Sequence, residues 1–71
     1  MLRESEFYKN LDSYSAVAIA EGFNEEEVDE EEQLSAWQYL IDSGLCWSLQ
    51  GSFGRAAQSL IEQGLCEVAV S

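Results

Sequence analysis

The segment AWQYLIDSGLC at residues 36–46 recurs as AAQSLIEQGLC at residues 56–66, with seven of the eleven positions identical and Asp42 exchanged for Glu62. Each copy has the form of a helix end. Gly44 and Gly64 stand where the backbone turns left-handed after the last helical turn, a conformation that strains any residue with a Cβ. Leu45 and Leu65 come next, placed to fold back over that turn onto Leu40 and Leu60. A looser instance is Gly22–Phe23, after an apolar run that ends at Ala20. The chain is therefore punctuated as three helices.

The first helix is expected over about 4–21, with Phe7, Leu11, Tyr14 and Ala18 on one face at helical spacing. The second is expected over 25–43: Asn24 suits the N-cap, Glu27 completes a capping box, Phe23 and Val28 can staple across the start, and Leu34, Trp37, Leu40 and Ile41 form the apolar stripe. The third, over 53–63, carries Phe53, Ala56, Ala57, Leu60 and Ile61 toward the same core. Between the last two, LCWSLQGSFG is too long for a tight turn and too apolar for a flexible linker. Trp47 and Leu49 are expected to plug the core there. The tail CEVAVS alternates in a way that suits a short extended segment at 66–70, pairing with residues 45–49 or with another copy, or else docking Val68 and Val70 as a frayed end.

The absence of proline and the scarcity of turn residues favour helices over a sandwich or barrel, so the expected architecture is all-α: one compact three-helix domain over 1–71. At this length only about 60% of the unfolded surface can be buried, and a partner or self-association would add stability. The longest uninterrupted apolar stretch, Ala16–Ala20, is far too short for a membrane span or a signal-peptide core. A soluble, cytoplasmic protein is expected. Cys46 and Cys66 occupy matching places in the repeat and read as reduced, buried, small apolar side chains, with a disulfide between them as the alternative. Two cysteines without any histidine cannot close a zinc tetrahedron, and no calcium-loop spacing is present. Without histidine the usual general base is missing, and GSFG at 51–54 lacks the lysine of a phosphate-binding loop. No catalytic residue, metal or cofactor is assigned, and the chain is read as a non-enzyme.

Fourteen acidic residues face three basic ones, for a net charge of −11, and seven of the acids fall within EEEVDEEE at 25–32. Such a charge repels nucleic acid, and a would-be recognition helix would offer only Arg55. If the run is helical, its like-charged pairs three and four residues apart oppose folding by about 1–3 kcal/mol. Extending the apolar stripe backward from Leu34 lands on Glu30 and Glu27, which cannot enter a core. Glu25, Glu26, Glu27, Asp29, Glu30, Glu31 and Glu32 are therefore the candidate contact surface for a positively charged partner, at about one charge per 1.7 Å, close to the linear density of duplex DNA. The bland alternative is a solvated, solubilising helix start. Trp37 reads as core, whereas Trp47 is either core or an interface anchor and is included among the candidate partner-binding residues. Arg55 is expected to pair with Asp42 or Glu62 and fix the turn, the alternative being contact with a partner.

Trp37, Leu40, Ile41, Gly44, Leu45, Trp47, Leu49, Gln50, Gly51, Phe53, Gly54 and Arg55 together match a pattern of the type A-W-Q-x-L-I-D-x-G-L-x-W-x-L-Q-G-x-[FY]-G-R. In this the chain resembles a group of small, uncharacterised bacteriophage-encoded proteins. The resemblance implies a phage origin and no particular chemistry; the acidic run lies outside it. At the level of class only, phage anti-CRISPR proteins that occupy DNA-binding channels supply the analogy. The expectation is a small acidic binding protein acting in host takeover, most concretely an anti-CRISPR-like, DNA-mimicking inhibitor of a host complex with a basic nucleic-acid-binding surface. The alternative is a self-assembling structural or accessory phage protein that joins copies through exposed apolar residues and its EVAV tail.

Overall fold

The computed structural model describes residues 2–21, 29–49 and 51–69. They form a 3-10 turn at Leu2–Glu4 and five α-helices: α1 (Glu6–Lys9), α2 (Ser13–Ala20), α3 (Glu30–Ser43), α4 (Leu45–Ser48) and α5 (Gly51–Glu62). The fold is all-α, and no strand occurs among the described residues. The second and third expected helices are recognisable as α3 and α5; the first is broken in two, and a further turn of helix, α4, fills the connection between α3 and α5.

The break in the first helix has a local cause. Asp12 is extended (φ −126°, ψ 177°) and its carboxylate accepts a hydrogen bond from the Ser15 N–H at 2.8 Å. Asp and Asn compete with the backbone for such bonds, so NLDS at 10–13 ends one helix and caps the next. The interruption resets the helical phase. Phe7 and Leu11 pack against the core as expected, but Ala16 and Ile19, not Tyr14 and Ala18, are the residues α2 buries. Tyr14 is 84% exposed.

The start of α3 also differs from expectation. Asp29 is extended (φ −90°, ψ 179°), its carboxylate accepts from the Glu32 N–H at 2.8 Å, and the Glu32 side chain accepts from the Asp29 N–H at 3.2 Å. This capping box fixes the helix start at Glu30, so a helix does not run unbroken from 25. The proposed cap at Asn24 and Glu27, the Phe23–Val28 staple and the Gly22–Phe23 helix end lie outside the described residues.

Both repeat ends adopt the left-handed glycine conformation, φ 82° at Gly44 and 80° at Gly64. At the second, the Leu65 N–H donates to the Leu60 carbonyl and the Gly64 N–H to that of Ile61, both at 3.0 Å, which is the Schellman pattern. At the first, the Gly44 N–H reaches the Ile41 carbonyl at 3.1 Å, but the chain re-enters a helix at Leu45. One turn of helix cannot bury neighbouring side chains alike. Cys46 points inward and is buried, whereas Trp47 is 51% exposed, so it does not plug the core. Its ring instead lies along α5, where a Cβ on Gly54 would meet it at 3.4 Å.

The buried cluster takes Ala16 and Ile19 from α2, Ala36, Leu40 and Ile41 from α3, Cys46 from α4, Ala57 from α5 and Cys66 from the tail. Phe53, Leu60 and Ile61 of α5 pack against it as the apolar spacing predicts, and Trp37 meets Phe53 with ring centroids 5.6 Å apart. Burying Leu40 and Ile41 completely contributes about 1.5–3 kcal/mol each. Both cysteines are free and buried, as expected. The tail forms no strand through residue 69, and Val68 is 65% exposed; Val70 lies outside the described residues.

Nothing lies within 4 Å of a Cβ added at Gly44 or Gly64, so alanine there meets only the backbone cost of the left-handed conformation. Gly44→Ala and Gly64→Ala should each lower unfolding free energy by about 1–2 kcal/mol in urea titrations, and asparagine by less. Unchanged midpoints for both alanine variants would show that neither turn depends on its glycine.

Candidate functional site

The acidic helix start is partly structural. Asp29 and Glu32 close the capping box, while Glu30 and Glu31 are exposed in the first turn of α3. Negative charge is favourable at that end of a helix dipole, so these four acids are not the folding burden that a continuous acidic helix would carry. Among the described residues no base forms an ion pair with Asp29, Glu30, Glu31 or Glu32. Glu25, Glu26 and Glu27 lie outside the described residues. Trp47, the remaining candidate, stands on α4, past the Gly44 turn at the other end of the fourteen-residue α3, which is itself about 20 Å long. Acids and tryptophan are thus not gathered into one site.

An open groove of about 460 Å³ runs between the end of α2, the middle of α3 and the start of α5, lined by Ala20, Glu21, Trp37, Ser52, Phe53 and Ala56. Among the described residues no group of three Cys, Asp or Glu side chains is placed to hold a metal ion.

The densest polar cluster is one that sequence reasoning does not single out. It centres on Asp42 near the end of α3. Arg3 donates to both carboxylate oxygens, Nε to Oδ2 and Nη2 to Oδ1, each at 2.7 Å, in a forked pairing. The Tyr8 hydroxyl donates to Oδ2 at 2.6 Å and the Gln38 amide to Oδ1 at 3.1 Å. Arg3 also reaches the Glu67 carboxylate at 2.6 Å and the Val68 carbonyl at 2.9 Å. Gln38, 1% exposed, grips the tail: its Nε2 donates to the Glu67 carbonyl at 2.9 Å and its Oε1 accepts from the Glu67 N–H at 2.8 Å. A side-chain amide thereby does what a neighbouring strand would do for an extended backbone. Asp42 belongs to Arg3, not to Arg55, which is exposed. Two clues were present: a glutamine sits four residues before an acid in both repeats, and Arg3 is one of three bases among fourteen acids.

Burial works against ionisation of Asp42, but hydrogen bonds from Arg3, Tyr8 and Gln38 outweigh it and hold the carboxyl below its usual range. The Tyr8 phenol is pushed up to about 12, first by burial and then by its bond to the Asp42 carboxylate. Burial and the nearby Asp42 charge raise the Cys66 thiol to about 11, and burial raises Cys46, which suppresses thiolate chemistry at both.

Because the Asp42 carboxyl is depressed on folding, its contribution is complete above the ordinary carboxyl value of about 4 and is lost as pH falls through the folded value. Asp42→Asn should cost about 2–3 kcal/mol at neutral pH, with the gap to the parent protein closing below about pH 4 in denaturant titrations. A gap independent of pH would contradict the ionic role. Tyr8 has the opposite sign: its neutral form contributes fully below about pH 10 and the contribution disappears as pH rises through about 12. Spectrophotometric titration of phenolate formation should show one late-ionising tyrosine, absent in Tyr8→Phe.

No curated protein and no solved structure matches the chain. A family model does match, and its span contains Gln38, Asp42 and Glu67 but not Arg3 or Tyr8. That match covers residues 16–70, and the chain belongs to the family described as "Domain of unknown function (DUF7417)".

Proposed function

We propose that the protein acts by binding, as a phage-encoded acidic inhibitor that occupies a lysine- and arginine-lined nucleic-acid-binding surface of a host complex in the manner of anti-CRISPR DNA mimics. The observation that carries the reading is the exposed pair Glu30 and Glu31 at the start of α3, with no base paired to them among the described residues. The capping box holds this end of the helix in one conformation, so the charges are presented without a further ordering cost. The net charge of −11, with Arg3 already committed to Asp42 and Glu67, leaves the surface strongly negative. Such a field speeds encounter with a basic groove and weakens as salt screens it. Glu25, Glu26, Glu27, Asp29 and Glu32 would add to the same field. Trp47, on α4 past the other end of α3, would anchor a second part of the interface.

A second reading, self-assembly of an accessory phage protein, is favoured by exposed apolar side chains: Trp47 at 51%, Leu65 at 44% and Val68 at 65%. Solution mass separates the two, since assembly requires a stable homo-oligomer.

Glu30→Gln combined with Glu31→Gln removes two charges while leaving the capping box of Asp29 and Glu32 intact. In displacement of labelled DNA from a purified CRISPR surveillance complex, the parent protein should compete in low salt and lose its effect near half-molar salt. The double variant should compete about tenfold less well at low salt. Equal competition by both, or none by either across a panel of such complexes, would remove the acidic helix start from the mechanism.

A further inference from the structure

The repeat supplies two copies of one side-chain arrangement in different circumstances. In the first, Gln38 donates to Asp42 at 3.1 Å, and the pair is covered by the Arg3 guanidinium and the extended backbone of Glu67. In the second, on α5, Gln58 donates to Glu62 at 3.3 Å, the same bond four residues apart at the equivalent positions. Here both residues are exposed, and no described residue fills the other positions that Arg3 and Glu67 fill in the first copy. Three hydrogen-bonding positions therefore face solvent: the second Gln58 N–H, its Oε1 and the far oxygen of Glu62.

We propose that the Gln58–Glu62 face of α5 is a docking site for an extended, arginine-bearing peptide segment of a partner protein. The first copy shows how each element would be recognised. The glutamine amide pairs with one residue's N–H and C=O, as Gln38 does with Glu67. The carboxylate takes the guanidinium fork, as Asp42 does with Arg3. Glutamate is one methylene longer than aspartate, so the arginine sits farther from the helix axis than Arg3 does. Charge complementarity selects arginine here, since the chain carries a net charge of −11.

The inference does not rest on the acidic start of α3, and the test keeps the two apart. Isotope-labelled protein is titrated with an acetylated, amidated threonine-valine-arginine-valine-threonine peptide and followed by amide NMR. The Gln58 side-chain amide and the last turns of α5 should shift. Glu62→Gln and Gln58→Ala should each weaken binding about tenfold, and a peptide with citrulline in place of arginine should bind as weakly. Lysine should fall between them, since it keeps the charge and loses the fork. Glu30→Gln with Glu31→Gln should leave this binding unchanged. Neither α5 substitution removes a core contact, so loss of binding would not reflect loss of fold. Shifts centred elsewhere, binding indifferent to Glu62, or equal affinity for arginine and citrulline would overturn the proposal. A homodimer abolished by Glu62→Gln would overturn it too, by placing a second copy of this chain on the face.

Discussion

The carboxylate of Asp42 joins stretches of chain that local structure would leave apart. Arg3 and Tyr8 come from the first residues, Gln38 from one turn earlier on α3, and Glu67 and Val68 from the tail, drawn in through Arg3 and Gln38. A chain of this size buries few large apolar groups, so polar contacts that close both ends onto the longest helix carry an unusual share of the order. The cluster meets the condition under which such contacts help: no buried side-chain nitrogen or oxygen among the described residues lacks a partner. Burial, with the charge of the nearby Asp42 carboxylate, keeps the Cys66 thiol protonated.

Repetition of a sequence has not produced repetition of an environment. Both copies end their helices with a left-handed glycine, because that conformation depends on the residue itself and its immediate neighbours. The path of the chain beyond each glycine depends instead on the rest of the molecule. After Gly44 the chain turns back into α4 and buries Cys46; after Gly64 it runs extended along α3 and buries Cys66. Two identical cysteines thus reach one core by different routes.

The negative charge is divided between two roles. Asp12, Asp29, Glu32 and Asp42 are held by hydrogen bonds that start helices or fasten the ends of the chain. Glu30 and Glu31 make no such contact among the described residues and are exposed. Part of the acidity in this protein is therefore structural, and the residues to substitute in a binding test are those outside the caps.

The all-α class, the glycine-ended helices and the apolar face of α5 were legible in the sequence, because each arises from short-range backbone preference or from helical periodicity; the burial of both cysteines was legible from their apolar character alone. The break at Asn10–Asp12 was legible in principle, since capping residues stood there, but a continuous apolar spacing pointed the other way and placed Tyr14 inside. Trp47 could not be placed from sequence: a large ring beside a glycine-containing turn packs inward or outward according to which neighbour leaves room, and Gly54 of α5 does. The partner of Asp42 was likewise decided only by the tertiary structure. Sequence separation alone favours Arg55, far nearer to Asp42 along the chain than Arg3, and the long-range closure of the chain ends settles which guanidinium arrives.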